Sequence, residues 1–488
     1  MSSEEGLLGC TEDSGKAIFR SPLMQRSGFD PQTGVYHSVH QLHNKIPTSP
    51  DLDIATFVLS HFPTAGEALK RVALIDAATN QKVTYAQLKL SVHKLATGLY
   101  HGLGVKKGDV VFLLSPNCLL YPTICLAVLS IGAVLTTANP VNTVSEIGKQ
   151  VKDSGAKLAI ADPGEVHKLL PTGVPTLLTS RAKDGVVLSV EELIDCCDPL
   201  DLPAVRPVQS DTAVILYSSG TTGASKGVEL THSNLIAIVT LLGWSAEASS
   251  SLNDVFLCFI PMFHVYGLAF FTLGLLACGT TNVVMQKFDF QAMLEAIETY
   301  KVNNIPAVPP VILALVKNDI AGHDLSSLQR VGSGAAPLSK EVTDGFREKF
   351  PGVEVRQGYG LTESCGAAAF FPSDEVAKVH PGSCGQLLPT FTARIVHFET
   401  GTPLPPFSRG ELWLKGPAPA ELEAVLLSHP YILDAAVVPL EDEAAGEIPI
   451  AYAVKAADSD LTENEVIDFV ATQVCLSHHQ LSFLKSSN

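Results

Sequence analysis

Residues Asp211–Leu235 read DTAVILYSSGTTGASKGVELTHSNL. Within them Ala213 to Tyr217 are continuously apolar between polar neighbours, which predicts a short buried strand. The strand breaks into Ser218-Ser219-Gly220-Thr221-Thr222-Gly223-Ala224-Ser225-Lys226-Gly227, a run of hydroxyls and glycines with one cation. Glycines let successive backbone N–H groups turn toward an anion, and hydroxyls add further donors. Lys226 supplies a point charge suited to a polyphosphate. The pattern predicts a phosphate cradle. It is not the P-loop G-x-x-x-x-G-K-[ST], because Ser225 stands where that motif needs its second glycine and Gly227 where it needs a hydroxyl for magnesium. A flexible Gly/Ser/Thr turn is the plainer alternative.

Outward from the cradle, strand and helix signals alternate. Arg71–Asp76 reads as a strand, Thr79-Asn80-Gln81 as a turn, and Leu88, Val92, Leu95 and Leu99 as one face of a helix. Strand Val110–Leu114, helix Leu119–Leu129 and strand Ala133–Thr137 come next, and the alternation returns near Lys157–Ala161. Such βαβ units imply a parallel sheet covered by helices. Residues 1–50 show little periodicity and end in Pro47-Thr48-Ser49-Pro50, so they read as a loosely packed leader.

At 488 residues the chain exceeds one core, so at least two domains are expected. The net charge of −17 opposes nucleic acid and anionic membrane surface, so an anionic nucleotide must be held by local donors. The ten cysteines are scattered without a C-x-x-C, which suggests reduced thiols and no zinc site. The polar, acidic amino terminus does not read as a signal peptide, so none is expected. Two apolar runs, Cys118–Ala138 and Val255–Cys278, are interrupted by proline, glycine or histidine, and read as buried elements rather than membrane segments.

Three further motifs carry chemistry. A strand at Val255–Ile260 ends in Pro261-Met262-Phe263-His264-Val265-Tyr266-Gly267. His264 is either a core imidazole bonded to a carbonyl or, with Tyr266, part of a pocket wall. Strand Arg330–Ser333 leads into Gly334-Ala335-Ala336-Pro337-Leu338, small enough for a flat ring to lie against the backbone. Gln357-Gly358-Tyr359-Gly360-Leu361-Thr362-Glu363 lacks the third glycine of a dinucleotide fingerprint. Glu363 there reads as a magnesium ligand beside phosphates, or as a solvent-facing helix cap.

The cradle, FHVYG, SGAAP, QGYGLTES and GELWLKG, in this order, resemble the adenylate-forming acyl-CoA synthetases, the family of 4-coumarate:CoA ligases, related acyl-CoA ligases and firefly luciferase. The resemblance runs from about Val72 to Pro417 and is strongest to the plant 4-coumarate:CoA ligase-like proteins. It implies an α/β fold with a large N-terminal domain of parallel and mixed sheets covered by helices, followed by a small α+β domain. The expected divisions are 1–50, 51–417 and 418–488. It implies an enzyme that uses ATP, Mg2+ and coenzyme A on a small-molecule carboxylic acid. A carboxylate attacks the α-phosphate of ATP, and coenzyme A then takes the acyl group from the adenylate.

By the same resemblance Ser218, Ser219, Gly220, Thr221, Thr222, Gly223 and Lys226 hold the β- and γ-phosphates. Gly334, Ala335, Ala336, Gln357, Gly358, Tyr359 and Gly360 line the adenine and acyl pockets, with Thr362 on the α-phosphate. Thr222 and Glu363 bind magnesium. His264, Tyr266, Phe270 and Phe370 border the acyl group together with Ala335, Gln357, Gly358 and Thr362, and Lys287 contacts coenzyme A. Catalysis is expected to rest on Thr222, Lys226, His264 and Glu363.

The resemblance breaks after Gly416. The stretch Ala418–Pro430 matches a helix well inside the family's small domain, so the intervening segment, which carries a ribose-binding Asp, an Arg and the hinge in relatives, is expected to be missing. Beyond Pro430 the chain reads as strands Ala435–Val438 and Ile448–Val454 and helix Glu463–Val470. The terminal CLSHHQLSFLKSSN lacks the lysine motif that bridges ATP and carboxylate in relatives. A truncated ligase with impaired adenylation is the expectation, with a non-catalytic nucleotide- or acyl-binding protein as the alternative and a luciferase-type oxygenase a distant third. Trp413 in GELWLKG fits the looser ligase-like group, for which hydroxycinnamic or fatty-type acids are both open. Relatives often end in Ser-Lys-Leu while this chain ends in Ser486-Ser487-Asn488, which predicts cytosolic residence.

Overall fold

The computed structural model describes residues 27–42, 45–63, 70–182, 187–200, 206–218, 226–247, 254–380, 382–416, 426, 429–442, 446–456, 459, 461–473 and 482–483. The chain divides into two compact units, Met1–Lys415 and Gly416–Asn488.

Three sheets build the first unit. A six-stranded sheet has the order Lys226–Thr231, Thr212–Ser218, Val134–Thr137, Val110–Leu114, Leu158–Ala161, Thr176–Leu178. Its strands are parallel except Lys226–Thr231, which folds back antiparallel on Thr212–Ser218. A nine-stranded sheet has the order Gln386–Leu387, Gly366–Phe370, Glu354–Leu361, Arg330–Ser333, Asn304–Ala307, Val255–Cys258, Thr281–Val284, Val72–Asp76, Lys82–Thr84. Its six central strands run parallel and its margins antiparallel.

The third sheet corrects the leader reading. Phe29–Asp30 and Val35–His37 form a hairpin that pairs through Tyr36 and His37 with Thr392–Val396, whose other neighbour is Glu411–Lys415. Strands of two and three residues carry no alternation to read, and their partner lies more than 350 residues away, so only tertiary pairing defines them.

Local chemistry places the helices. Thr84 and Gln87 form a capping box that starts Tyr85–Thr97, and Thr143 with Glu146 does the same for Val144–Ser154. Leu88, Val92, Leu95 and Leu99 are fully buried, as their spacing predicts. The run at Cys118–Ala138 becomes helix Tyr121–Ser130, buried at every position from Tyr121 to Leu129, and strand Val134–Thr137. It is apolar all round because it lies inside the protein. Among the described residues no helix is long and apolar enough to cross a membrane.

The imidazole of His232 is fully buried and accepts the N–H of Ile54 at Nδ1 (3.2 Å), while Asp53 caps the same helix start through Thr56 N–H. Accepting at Nδ1 requires the neutral ring. Burial lowers the His232 pKa, opposed by Asp53 and Asp211 and aided by Lys107. A base depressed in the folded state contributes its full stability above the unfolded value of about 6.5 and loses it as pH falls. Denaturant midpoints should therefore drop as pH falls below about 6.5. The slope should be shallower in His232→Asn, and equal slopes in both proteins would show that this group is not responsible.

The second unit contains an antiparallel hairpin, Ile432–Asp442 with Gly446–Lys455, joined in parallel by Ser482–Phe483, and the helix Glu463–Gln473. Both strands are longer than the apolar runs within them suggest. Most of the helix expected at 418–430 lies outside the described residues.

Candidate active site

In the nine-stranded sheet the chain steps from Val255–Cys258 to one side and then returns to Asn304–Ala307 on the other. In the six-stranded sheet it does the same around Val110–Leu114. Connections that diverge in this way leave a crevice at the carboxyl ends of the strands. The motifs gather there. Ala307, Ser333 and Gln357 are register partners across neighbouring parallel strands, so the residues after them emerge side by side.

Gly334 donates its N–H to Ala307 O (3.2 Å), and Leu338 donates to Gln357 Oε1 (3.0 Å), which fixes the GAAPL turn against the next strand. Ala335 holds φ = 66°, a left-handed conformation that costs a residue with a Cβ roughly 1–3 kcal/mol. The Ser333 hydroxyl is buried with no hydrogen-bond partner among the described residues. A strained backbone and an unsatisfied buried donor at one strand end fit a site that completes itself with a polar ligand.

The Tyr266 ring lies so close to Gly334 that a Cβ there would stand 3.4 Å from it. Tyr266 packs edge-on against Phe270, with centroids 5.9 Å apart, and Phe270 meets Phe256 at 6.0 Å. Gly358 pairs with Phe370, whose ring would lie 3.0 Å from a Cβ at that glycine. Tyr359 and Gly360 continue the same strand. Burial pushes the Tyr266 phenol pKa up, so its hydroxyl stays a donor. These rings form an apolar wall beside the GAAPL turn.

His264 caps the short helical turn Val265–Gly267, its Nδ1 accepting the Tyr266 N–H at 3.2 Å. The proton of the neutral ring therefore sits on Nε2. The ring is exposed at the rim, yet crowding by surrounding protein lowers its pKa. The backbone that carries it is anchored by a residue absent from the motif reading. Asn117, only 4% exposed, follows the central strand of the six-stranded sheet. It donates to Ile260 O (3.0 Å) and Met285 O (3.3 Å) and accepts from Met262 N–H (2.8 Å). Thr137, at the end of the adjacent strand, donates to Phe263 O (2.6 Å). The carboxyl ends of both sheets thus hold one loop. Truncating Asn117 to Ala orphans buried carbonyls and an N–H, each costing about 1–3 kcal/mol. Asn117→Ala should lower the unfolding free energy by at least about 2 kcal/mol in denaturant titrations. A change below about 0.5 kcal/mol would show that the amide is dispensable.

Lys226 is the Cα partner of Ser218, so the two ends of the cradle sequence are clamped together as a hairpin stem. Tyr217 braces the stem through its hydroxyl to Asp153 (2.7 Å). Ser219, Gly220, Thr221, Thr222 and Gly223 lie outside the described residues.

Glu363 does not cap a helix. It occupies the turn between antiparallel strands Glu354–Leu361 and Gly366–Phe370, exposed beside buried Thr362. Ser364 closes that turn by accepting from Leu361 N–H and donating to Gly366 O. The strand signal of QGYGL hides the turn until the hairpin pairing is seen. Among the described residues the Glu363 carboxylate has no partner, so its oxygens are open to a ligand. Lys287 is exposed on the loop after Thr281–Val284, at the same edge of the sheet.

Residues 63–421 match the model of the AMP-binding enzymes and residues 421–479 that of their C-terminal domain. The chain belongs to the AMP-binding enzyme family. It is 40% identical to the probable CoA ligase CCL5 of Humulus lupulus, covering 95% of this chain and 93% of that one. It is 39% identical to the peroxisomal OPC-8:0-CoA ligase 1 of Arabidopsis thaliana, covering 92% of each. ATP-bound MatB from Rhodopseudomonas palustris superposes with a TM-score of 0.65 at 21% identity, over 89% of this chain and 95% of that one, a likeness of fold. Family and relatives place this AMP-binding enzyme among the acid:CoA ligases, which use ATP and coenzyme A on small carboxylic acids. One relative's name assigns it to the peroxisome, so the cytosolic expectation gains no support from the comparisons.

Asn117 and Thr137 are the residues the motif reading missed. Their only sequence signal is a polar residue at or just past the end of a buried strand, in LLSPN and LTTAN.

Proposed function

We propose that this chain activates an apolar carboxylic acid, of the fatty or hydroxycinnamic type, as its adenylate, and that the segment missing after Gly416 leaves this activity impaired. The observation that carries the reading is the convergence of Gly334–Ala336, Gln357–Gly360 and the His264–Tyr266 loop at the carboxyl ends of one parallel sheet. The wall of Tyr266, Phe270 and Phe370 favours an apolar acyl group.

On this reading Ser218, the 219–223 loop and Lys226 grip the β- and γ-phosphates, and the left-handed Ala335 backbone receives the adenine. Thr362 orients the α-phosphate. Glu363 and Thr222 would hold Mg2+, which offsets the charge that builds on the phosphates. The acid's carboxylate attacks the α-phosphorus and pyrophosphate leaves. In the second half-reaction the thiolate of coenzyme A, steered by Lys287, attacks the acyl carbon and AMP leaves. Neutral His264, with its Nε2–H at the rim, gates the acyl pocket as a hydrogen-bond donor rather than a cation.

Two observations support the impairment. The alignment with the hop ligase spans 531 positions, more than the 488 residues of this chain, so that relative carries residues without counterparts here. The last strand of the first unit, Glu411–Lys415, is a sheet margin with Leu412 and Trp413 exposed, and the second unit begins at Gly416. Pyrophosphate release with Mg-ATP and a panel of hydroxycinnamic and fatty acids tests the reading. Slow release that depends on one acid class is expected. ATP binding with no release on any acid would favour the non-catalytic binder, and absence of ATP binding would remove both.

A further inference from the structure

Helix Val190–Cys196 ends in two adjacent cysteines. Side chains of neighbouring residues usually diverge, but here the backbone passes from helical at Cys196 to extended at Cys197 (φ −100°, ψ 134°), and the two Sγ atoms lie 3.8 Å apart. Cys196 is exposed, and Cys197 is half-buried against Gly98 and Leu193. Joining them as a disulfide is unfavourable, because Cα atoms ~3.8 Å apart across a trans peptide fall short of the 4.4–6.8 Å or so that disulfides span. A soft tetrahedral cation with thiolates at ~2.3 Å, by contrast, holds two sulfurs ~3.8 Å apart. The resting separation already matches that bite.

We propose that Cys196 and Cys197 form a bidentate site for a soft, thiophilic d10 cation, with the outer coordination positions left to water or a small-molecule thiol. On binding, each S–H bond is replaced by a sulfur–metal bond, two protons pass to solvent and no electron is transferred. Because each thiol must lose its proton to bind, uptake strengthens as pH rises. Asp195 is paired with Arg181.

Cadmium is the probe. Reduced full-length protein should take up one tight equivalent, read by thiolate-to-metal absorption against a competing chelator, with two protons released per ion. Cys196→Ser and Cys197→Ser should each weaken that equivalent by about 100-fold or more, since even outer-shell changes at metal sites cost 10–100-fold. Cys384→Ser, which removes another exposed thiol, should leave it unchanged. Retention of the tight equivalent in Cys196→Ser/Cys197→Ser, or release of a single proton per ion, overturns the proposal. Unchanged near-UV circular dichroism in each variant separates ligand loss from unfolding.

Discussion

Replacing Lys226 and Thr222 together by alanine should weaken Mg-ATP binding by about 100-fold or more. A hydrogen bond to a charged group contributes about 1.5–3 kcal/mol, and about 1.4 kcal/mol is tenfold in affinity. Two such contacts therefore give at least about 3 kcal/mol. The global field of a chain with net charge −17 repels the nucleotide, so no diffuse attraction masks the loss. The fold should survive, because Lys226 is exposed and the hairpin stem is held by backbone pairing with Ser218, Tyr217 and their neighbours. Isothermal titration of both proteins at one ionic strength is the measurement. Equal dissociation constants would remove the phosphate cradle and, with it, the physical basis of the proposed adenylation.

Gly267→Ala should be among the most damaging small substitutions in the site region. A Cβ at this position would lie 2.1 Å from Pro261 O, 2.6 Å from its carbonyl carbon and 2.7 Å from Met262 Cα. All three are backbone atoms of the loop that Asn117 and Thr137 hold, so they cannot rotate away as a side chain would. Overpacking typically costs about 1–3 kcal/mol, and here the clash falls on a clamped backbone. A loss of about 3 kcal/mol or more in unfolding free energy is expected, with His264 and Tyr266 displaced. A variant within about 1 kcal/mol of the parent would mean that the loop is far softer than its hydrogen bonds indicate.

The parallel core was legible because it is written locally. Ala213–Tyr217, Val110–Leu114 and Val255–Ile260 are apolar runs bounded by turn residues, and each holds a strand. The hairpin of Phe29–Asp30 with Val35–His37 was not legible, since its partner Thr392–Val396 lies at the far end of the first unit. The return strand Lys226–Thr231 was hidden for another reason. Glycines and a lysine that serve a phosphate loop also suit an edge strand, and composition cannot separate the two. At the site the motifs named Gly334, Gln357 and His264, but their neighbourhood depends on register and on Asn117, whose partners sit about 145 and 170 positions downstream. An amide that works across such a separation leaves no periodic trace.

Strand Val72–Asp76 lies between Lys82–Thr84 and Thr281–Val284. The hairpin neighbour is made at once, but the parallel neighbour leaves the ribosome roughly 200 residues later. At ~5–20 residues per second the nascent chain therefore carries an open strand margin for about 10–40 s. Over the same interval the Tyr85 hydroxyl lacks its eventual acceptor, Thr280 O. Biogenesis of this protein thus depends on keeping its earliest folded piece shielded until translation passes Val284, and arrested chains ending before Thr281 should be cut by protease within that piece.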